Sequence, residues 1–149
     1  MKISTKVECG IIALVDIAVN SDNGNIVKAT SISHRNNISV KYLEQILMLL
    51  RQTHIINSVK GASGGYVLAR SASEITLREV VDALDSTVFA ASTFSDKLES
   101  AATTAISECL WEPVNDYMQR FSENLTLKEL ADRFSELRNK QSETPMYYI

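Results

Sequence analysis

The sequence predicts a mainly α protein with a small β-hairpin: a winged helix-turn-helix followed by a long dimerisation helix. Three observations carry this. Val40, Leu43, Ile46, Leu47 and Leu50 recur on one face and predict a helix behind the cap residue Ser39. Two apolar runs, Ile55 to Val59 and Tyr66 to Ala69, flank the glycine-rich tip Lys60-Gly61-Ala62-Ser63-Gly64-Gly65, which predicts a tight hairpin. Farther on, Leu110, Val114, Tyr117, Met118 and Phe121 form an apolar stripe at helical spacing.

In chain order, Thr5-Lys6-Val7-Glu8 has the form of a capping box, and Val7, Ile11, Leu14, Val15 and Ala18 give a first helix to about Asn20. Ser21 to Asn25 is a turn by composition. Ile26-Val27 is expected to pair as a short strand with the wing, and a second helix is expected from Lys28 to Asn36. After the wing, Thr76-Leu77-Arg78-Glu79 is a second capping box, opening a helix through Leu84. This gives a winged helix-turn-helix domain over 1–85 and a small, polar linker over 86–95.

A helical region over 96–138 follows, with a kink or fresh start expected at Pro113, which has no amide proton. Thr126-Leu127-Lys128-Glu129 is a third capping box, and Leu127, Leu130, Ala131, Phe134 and Leu137 form the stripe behind it. A flexible tail is expected over 139–149. The stripe Leu110, Val114, Tyr117, Met118 and Phe121 is satisfied either by a second copy of the chain or by packing back on its own domain. A homodimer is the reading taken here, since paired recognition helices read two half-sites of a pseudo-palindromic duplex.

The chain of 149 residues carries a net charge of −3, unevenly placed. Residues 1–70 hold eight Lys/Arg against four acids, a local +4, while residues 71–149 hold seven bases against fourteen acids, −7. The basic half contains the helix-turn-helix pattern, and the local field governs an encounter with phosphates. A helix and hairpin of this kind also occur in α+β domains with no nucleic-acid role, so the charge asymmetry decides for double-stranded DNA. The candidate contacts are Lys28, Ser39, Lys41, Tyr42, Glu44, Gln45, Lys60, Gly61 and Ser63.

No catalytic set assembles. His34 and His54 read as surface or capping residues, and the glycine tip lacks the Gly-Lys-Ser/Thr of a phosphate loop. Cys9 and Cys109 are too few for a disulfide framework or a self-contained cysteine-ligated metal site, so no cofactor or metal is expected. No apolar run is long enough to cross a bilayer and no signal pattern opens the chain, so a cytoplasmic location is expected.

Met1-Lys2-Ile3-Ser4-Thr5-Lys6, Ile38-Ser39-Val40-Lys41-Tyr42-Leu43-Glu44-Gln45 and Val59-Lys60-Gly61-Ala62-Ser63-Gly64-Gly65-Tyr66 together resemble the signature of Rrf2-type bacterial transcription regulators. Leu110-Trp111 and Leu125-Thr126-Leu127-Lys128-Glu129-Leu130 are similar to the later part of that family, so the resemblance covers nearly the whole chain. It implies a winged-helix DNA-binding domain, a long crossing dimerisation helix and control of transcription by a sensed signal. Many members hold an iron–sulfur cluster on three cysteines ahead of the Leu-Trp pair. Here the last of these falls at Ala105 and a further histidine ligand at Glu108, which implies a cluster-free branch. Val7-Glu8-Cys9 stands where members commonly have Gly-Arg-Tyr. Within that branch the resemblance is to repressors of cysteine metabolism. The aromatic-rich Met146-Tyr147-Tyr148-Ile149 then implies docking to O-acetylserine thiol-lyase, or alternatively tucks against the body. A second reading of the whole chain is a protein-interaction module that binds that enzyme without sequence-specific DNA binding.

Overall fold

A computed structural model describes residues 2–92 and 99–143. Helix α1 spans Thr5–Asn20 and buries Val7, Ala13, Leu14 and Ile17. Its cap is Ser4, which accepts from the Val7 amide at 3.3 Å, so the capping box expected at Thr5 starts one residue too late. Ser4 satisfies that orphan amide with its own hydroxyl, leaving Thr5 free to enter the helix. A single 3₁₀ turn at Asp22–Gly24 leads to Val27, which bridges antiparallel to Tyr66 of the wing as expected.

Helix α2 (Ala29–Asn36) buries Ile32 alone. It ends where Asn37 turns left-handed at φ 54°, a conformation asparagine tolerates. The Ser33 hydroxyl donates to the Ile38 carbonyl at 2.5 Å, fixing the short turn before Ser39. Ser39 then caps α3 (Val40–Gln52) through the Tyr42 amide at 3.2 Å. Leu43, Ile46, Leu47 and Leu50 are fully buried, while Val40 is half-buried at the end of the stripe. At the far end His54 sits left-handed at φ 59°, and the His54 and Ile55 amides donate to the carbonyls of Arg51 and Leu50. That is a Schellman closure with histidine in the place glycine usually takes.

Strands β1 (Ile56–Val59) and β2 (Gly65–Leu68) pair antiparallel with Ile56 opposite Leu68 and Val59 opposite Gly65. The tip is closed by the Gly64 amide on the Gly61 carbonyl, with Gly61 at φ 115°, where any side chain would be strained. Helix α4 (Leu77–Leu84) opens with a complete capping box: Glu79 accepts from the Thr76 amide at 2.9 Å and Thr76 from the Glu79 amide at 3.3 Å. Residues 86–92 do more than link. Val88 is buried, Phe89 packs against the core beneath the Arg78 guanidinium, and Asn115 pairs with both backbone groups of Ser92. Residues 93–95 of the expected linker lie outside the described residues.

The later helical region runs as α5 (Ala101–Ile106), a π-helical turn (Ser107–Trp111) and α6 (Glu112–Asn124). The fresh start expected at Pro113 is seen: α6 opens at Glu112 with Pro113 in its first turn, directly after the π-helical turn. Pro113 cannot donate to the carbonyl of Cys109, and the wide turn, in which the Glu112 amide donates to Ser107 five residues back, absorbs the misfit. Helix α7 spans Leu127–Glu143, so residues 139–143, expected as tail, are helical. No breaker precedes Pro145 in the sequence, and a polar composition alone does not stop a helix. Leu127 joins the same core as α1, α3 and α4, and α7 lies along α1.

Candidate nucleic-acid interface

The buried stripe of α3 fixes which face turns outward. Lys41, Glu44, Gln45 and Met48 are exposed, with Met48 at 46%. Lys28 stands exposed at the start of α2, and Lys60, Gly61 and Ser63 are exposed at the wing tip. The exposed groups therefore come from two helix openings, one helix face and one hairpin tip. Tyr42 differs from the other candidates: its ring is half-buried against the core. It lies four residues before Ile46 and seven before Leu49, at the edge of the inward stripe, so the ring's apolar area outweighs the pull of its hydroxyl.

Lysines and backbone amides at helix openings are groups that meet phosphates, whereas Glu44 and Gln45 on the exposed helix face carry acceptors and donors of the kind that read base edges. A carboxylate here repels phosphate and accepts from the N4 amine of cytosine, so Glu44 is suited to selection more than to attraction.

The wing is tied to the body at its exit. Arg70 donates to the Glu79 carboxylate at 2.7 Å and to the Glu74 carbonyl at 2.8 Å. Burial alone would raise the Glu79 carboxyl, but the hydrogen bonds from Arg70 and Thr76 outweigh it and hold the group below its ordinary range. A second network lies behind the helix-turn-helix. Asp16 of α1, 6% exposed, accepts from Arg35 and Asn36 at the end of α2. Reading by charge counted Asp16 only among the acids of the basic half. The available signal was an acid directly between the buried Leu14 and Ile17.

A separate apolar face lies on α5–α6. Leu110 is 46% exposed, Val114 41%, Tyr117 66% and Phe121 47%. The Tyr117 and Phe121 rings stack at 6.2 Å. Ile106, one turn earlier and also exposed, extends the face and was not among the candidates. Met118 is half-buried and, together with Val114, lines the cleft between residues 87–92 and α6, so it is the more covered member of the stripe. Met146, Tyr147, Tyr148 and Ile149 lie outside the described residues.

The Rrf2 family profile, described as "Iron-dependent Transcriptional regulator", matches residues 3–133. The HTH-type transcriptional regulator IscR of Escherichia coli is 34% identical over 132 residues, which are 89% of this chain and 81% of that protein. Among solved structures, CymR of B. subtilis, titled the global cysteine regulator, superposes with TM-score 0.76 at 28% identity, covering 89% of this chain and 98% of that one. The oxidized form of Staphylococcus aureus CymR gives 0.69 at 34% identity, with 88% and 96% covered. The residues of this chain do not fit a cysteine-held iron cluster. Its two cysteines stand apart, Cys9 on α1 and Cys109 on the π turn, with Ala105 and Glu108 beside the latter. Among the described residues no three His, Cys, Asp or Glu side chains converge as a metal site.

Proposed function

The chain belongs to the Rrf2 family of transcriptional regulators, and from that premise we propose that it is a homodimeric repressor of cysteine and sulfur metabolism acting without an iron–sulfur cluster. The observation that carries the DNA-binding part is the exposed face of α3, with Lys41, Glu44 and Gln45 opposite a fully buried leucine stripe. α3 is expected to enter the major groove, with Lys28 and the Ser39 opening on phosphates and Lys60, Gly61 and Ser63 on the flanking minor groove. Dimerisation through Leu110, Val114, Tyr117 and Phe121 is supported by four large apolar side chains left exposed among the described residues.

The link to cysteine is supported by likeness to two CymR structures. The cluster-free reading is supported by the cysteine count, and anaerobically purified protein is expected to be colourless and free of iron; iron in proportion to chain would remove it. Docking of Met146, Tyr147, Tyr148 and Ile149 to O-acetylserine thiol-lyase belongs to the same reading, with the enzyme's substrate competing for the pocket. Calorimetry of a chain lacking Ile149 against that enzyme is expected to show no binding.

The deciding experiment is a gel shift on DNA upstream of the protein's own gene, with and without the thiol-lyase. Glu44→Ala is expected to relax base preference while affinity is kept or raised. Uniform loss across all duplexes would take α3 out of the groove, and binding to the enzyme without any DNA preference would favour the interaction-module reading.

A further inference from the structure

We infer that Asp16 is a positioning residue for DNA reading, setting the rotation of α2, and with it α3, on helix α1 through Arg35 and Asn36. The inference rests on the DNA-binding reading above. Four side-chain N–H groups converge on this one carboxylate. Arg35 donates Nε to Oδ2 at 2.9 Å and Nη2 to Oδ1 at 2.6 Å, Asn36 donates Nδ2 to Oδ2 at 2.8 Å, and Asn20 donates Nδ2 to Oδ1 at 3.3 Å. Apart from Ser122, Asp16 is the only buried polar side chain among the described residues.

Apolar packing does not do this task for α2. Of its eight residues only Ile32 is buried, with Ala29 packed partly against the core at the opening, so apolar contacts hold the start and middle of the helix and leave its last turn to polar ones. A two-pronged guanidinium–carboxylate fork fixes both distance and angle. It is attached at Arg35, and Asn36 adds a third point at the last residue of α2. The left-handed Asn37, buried Ile38 and the Ser39 cap follow at once, so the direction in which α3 starts is passed on by a turn of three residues. Burying a carboxylate carries a large desolvation cost before its partners compensate, and packing alone at this position is met by an apolar residue. The lower end of α2 carries Lys28 and the upper end delivers Ser39, so a rotated α2 displaces both candidate phosphate contacts together.

Two other roles are conceivable for the same residues: a support for stability only, or an Arg35 cation, 42% exposed, that itself meets phosphate. The test uses full-length Asp16→Asn, Arg35→Lys, Arg35→Met and the Asp16→Asn/Arg35→Met double variant. Anisotropy is measured over a salt series on a duplex that the wild type selects from DNA upstream of its gene and on a scrambled duplex, at a temperature where circular dichroism shows each variant folded. Each single variant is expected to lose about tenfold on the selected duplex, the scale of one bidentate base contact, with scrambled binding and salt slope unchanged. Arg35→Lys gives no rescue, since it keeps the charge without the fork. The double variant is expected to be no worse than the poorer single. Arg35→Lys alters only a half-exposed side chain and keeps the test open if Asp16→Asn does not fold. Lowered melting with wild-type selectivity would make the network structural only. Tighter binding of Asp16→Asn to both duplexes, with a slope reduced by about one unit in Arg35→Met, would make Arg35 a phosphate contact instead. A wild type without preference for any duplex overturns the DNA reading together with this inference; preference unaffected by the variants overturns this inference alone.

Discussion

At the wing tip Lys60 stands beside Gly61, whose positive φ brings the backbone round without a side chain in the way. If that tip meets DNA, Lys60→Ala weakens binding and flattens the salt dependence by about one unit; an unchanged slope places the wing elsewhere. Glu79 supports a different expectation. Its carboxyl lies below its ordinary value when folded, so the contribution to stability is present above the ordinary carboxylate pKa and is lost as acid takes pH down through the lowered value. Thr76→Ala removes one side of the capping box and is expected to cost about 1 kcal/mol at neutral pH. Urea midpoints at pH 7 and pH 3 check both: the loss on acidification is to be smaller in Glu79→Gln than in the parent. Single residues were legible where chemistry is local. The Thr76 and Thr126 boxes form as read, because the hydroxyl and the carboxylate three residues on meet within one turn, whereas at Thr5 a serine one residue earlier takes the cap. Asp16 was not legible, since its partners are 19 and 20 residues away and only the folded chain brings them together.

Among the elements, the wing and α3 follow from periodicity and glycine placement, and the superposable regulators share that fold. The outward face of α5–α6 was read nearly in full, but its phase was not. Ile106, Leu110, Val114, Tyr117 and Phe121 recur at four, four, three and four residues, longer on average than the about 3.6 of a straight helix. The π turn at Ser107–Trp111 takes up the excess and keeps Ile106 and Leu110 in line with the later residues. Met118 is more covered than the other members of the stripe, facing with Val114 the cleft beside residues 87–92, which spacing alone could not reveal. Val114→Glu and Phe121→Glu are expected to give monomers with weak operator binding, whereas Met118→Leu, a volume-conserving change at a half-buried position, leaves association intact. Light scattering at micromolar concentration measures this, and a monomeric wild type removes the dimer reading.

On the scale of the whole molecule, composition suggested a basic first part over 1–70 and an acidic helical remainder, but not that the two share one core. Leu127 is buried in the core built by α1, α3 and α4, and α7 runs along α1. Removing residues 125–149 is expected to lower stability by more than about 3 kcal/mol, the scale of a single buried leucine, and to shift the urea midpoint accordingly. An unchanged midpoint would make the first 85 residues self-sufficient. The stitching at Thr76 and Thr126 gives this closure its sharpest form: the Leu77 amide donates to the Leu125 carbonyl at 2.7 Å, and the Leu127 amide to the Ile75 carbonyl at 2.9 Å. On a ribosome adding about 5–20 residues each second, the helix-turn-helix emerges seconds before Leu127 and the bridge at Thr126 that complete its core. A nascent chain stalled before Leu125 therefore carries the helix-turn-helix without Leu127 and the two bridge hydrogen bonds, and is expected to compete for an operator less well than the full chain. The timing of translation itself would then gate the reading surface.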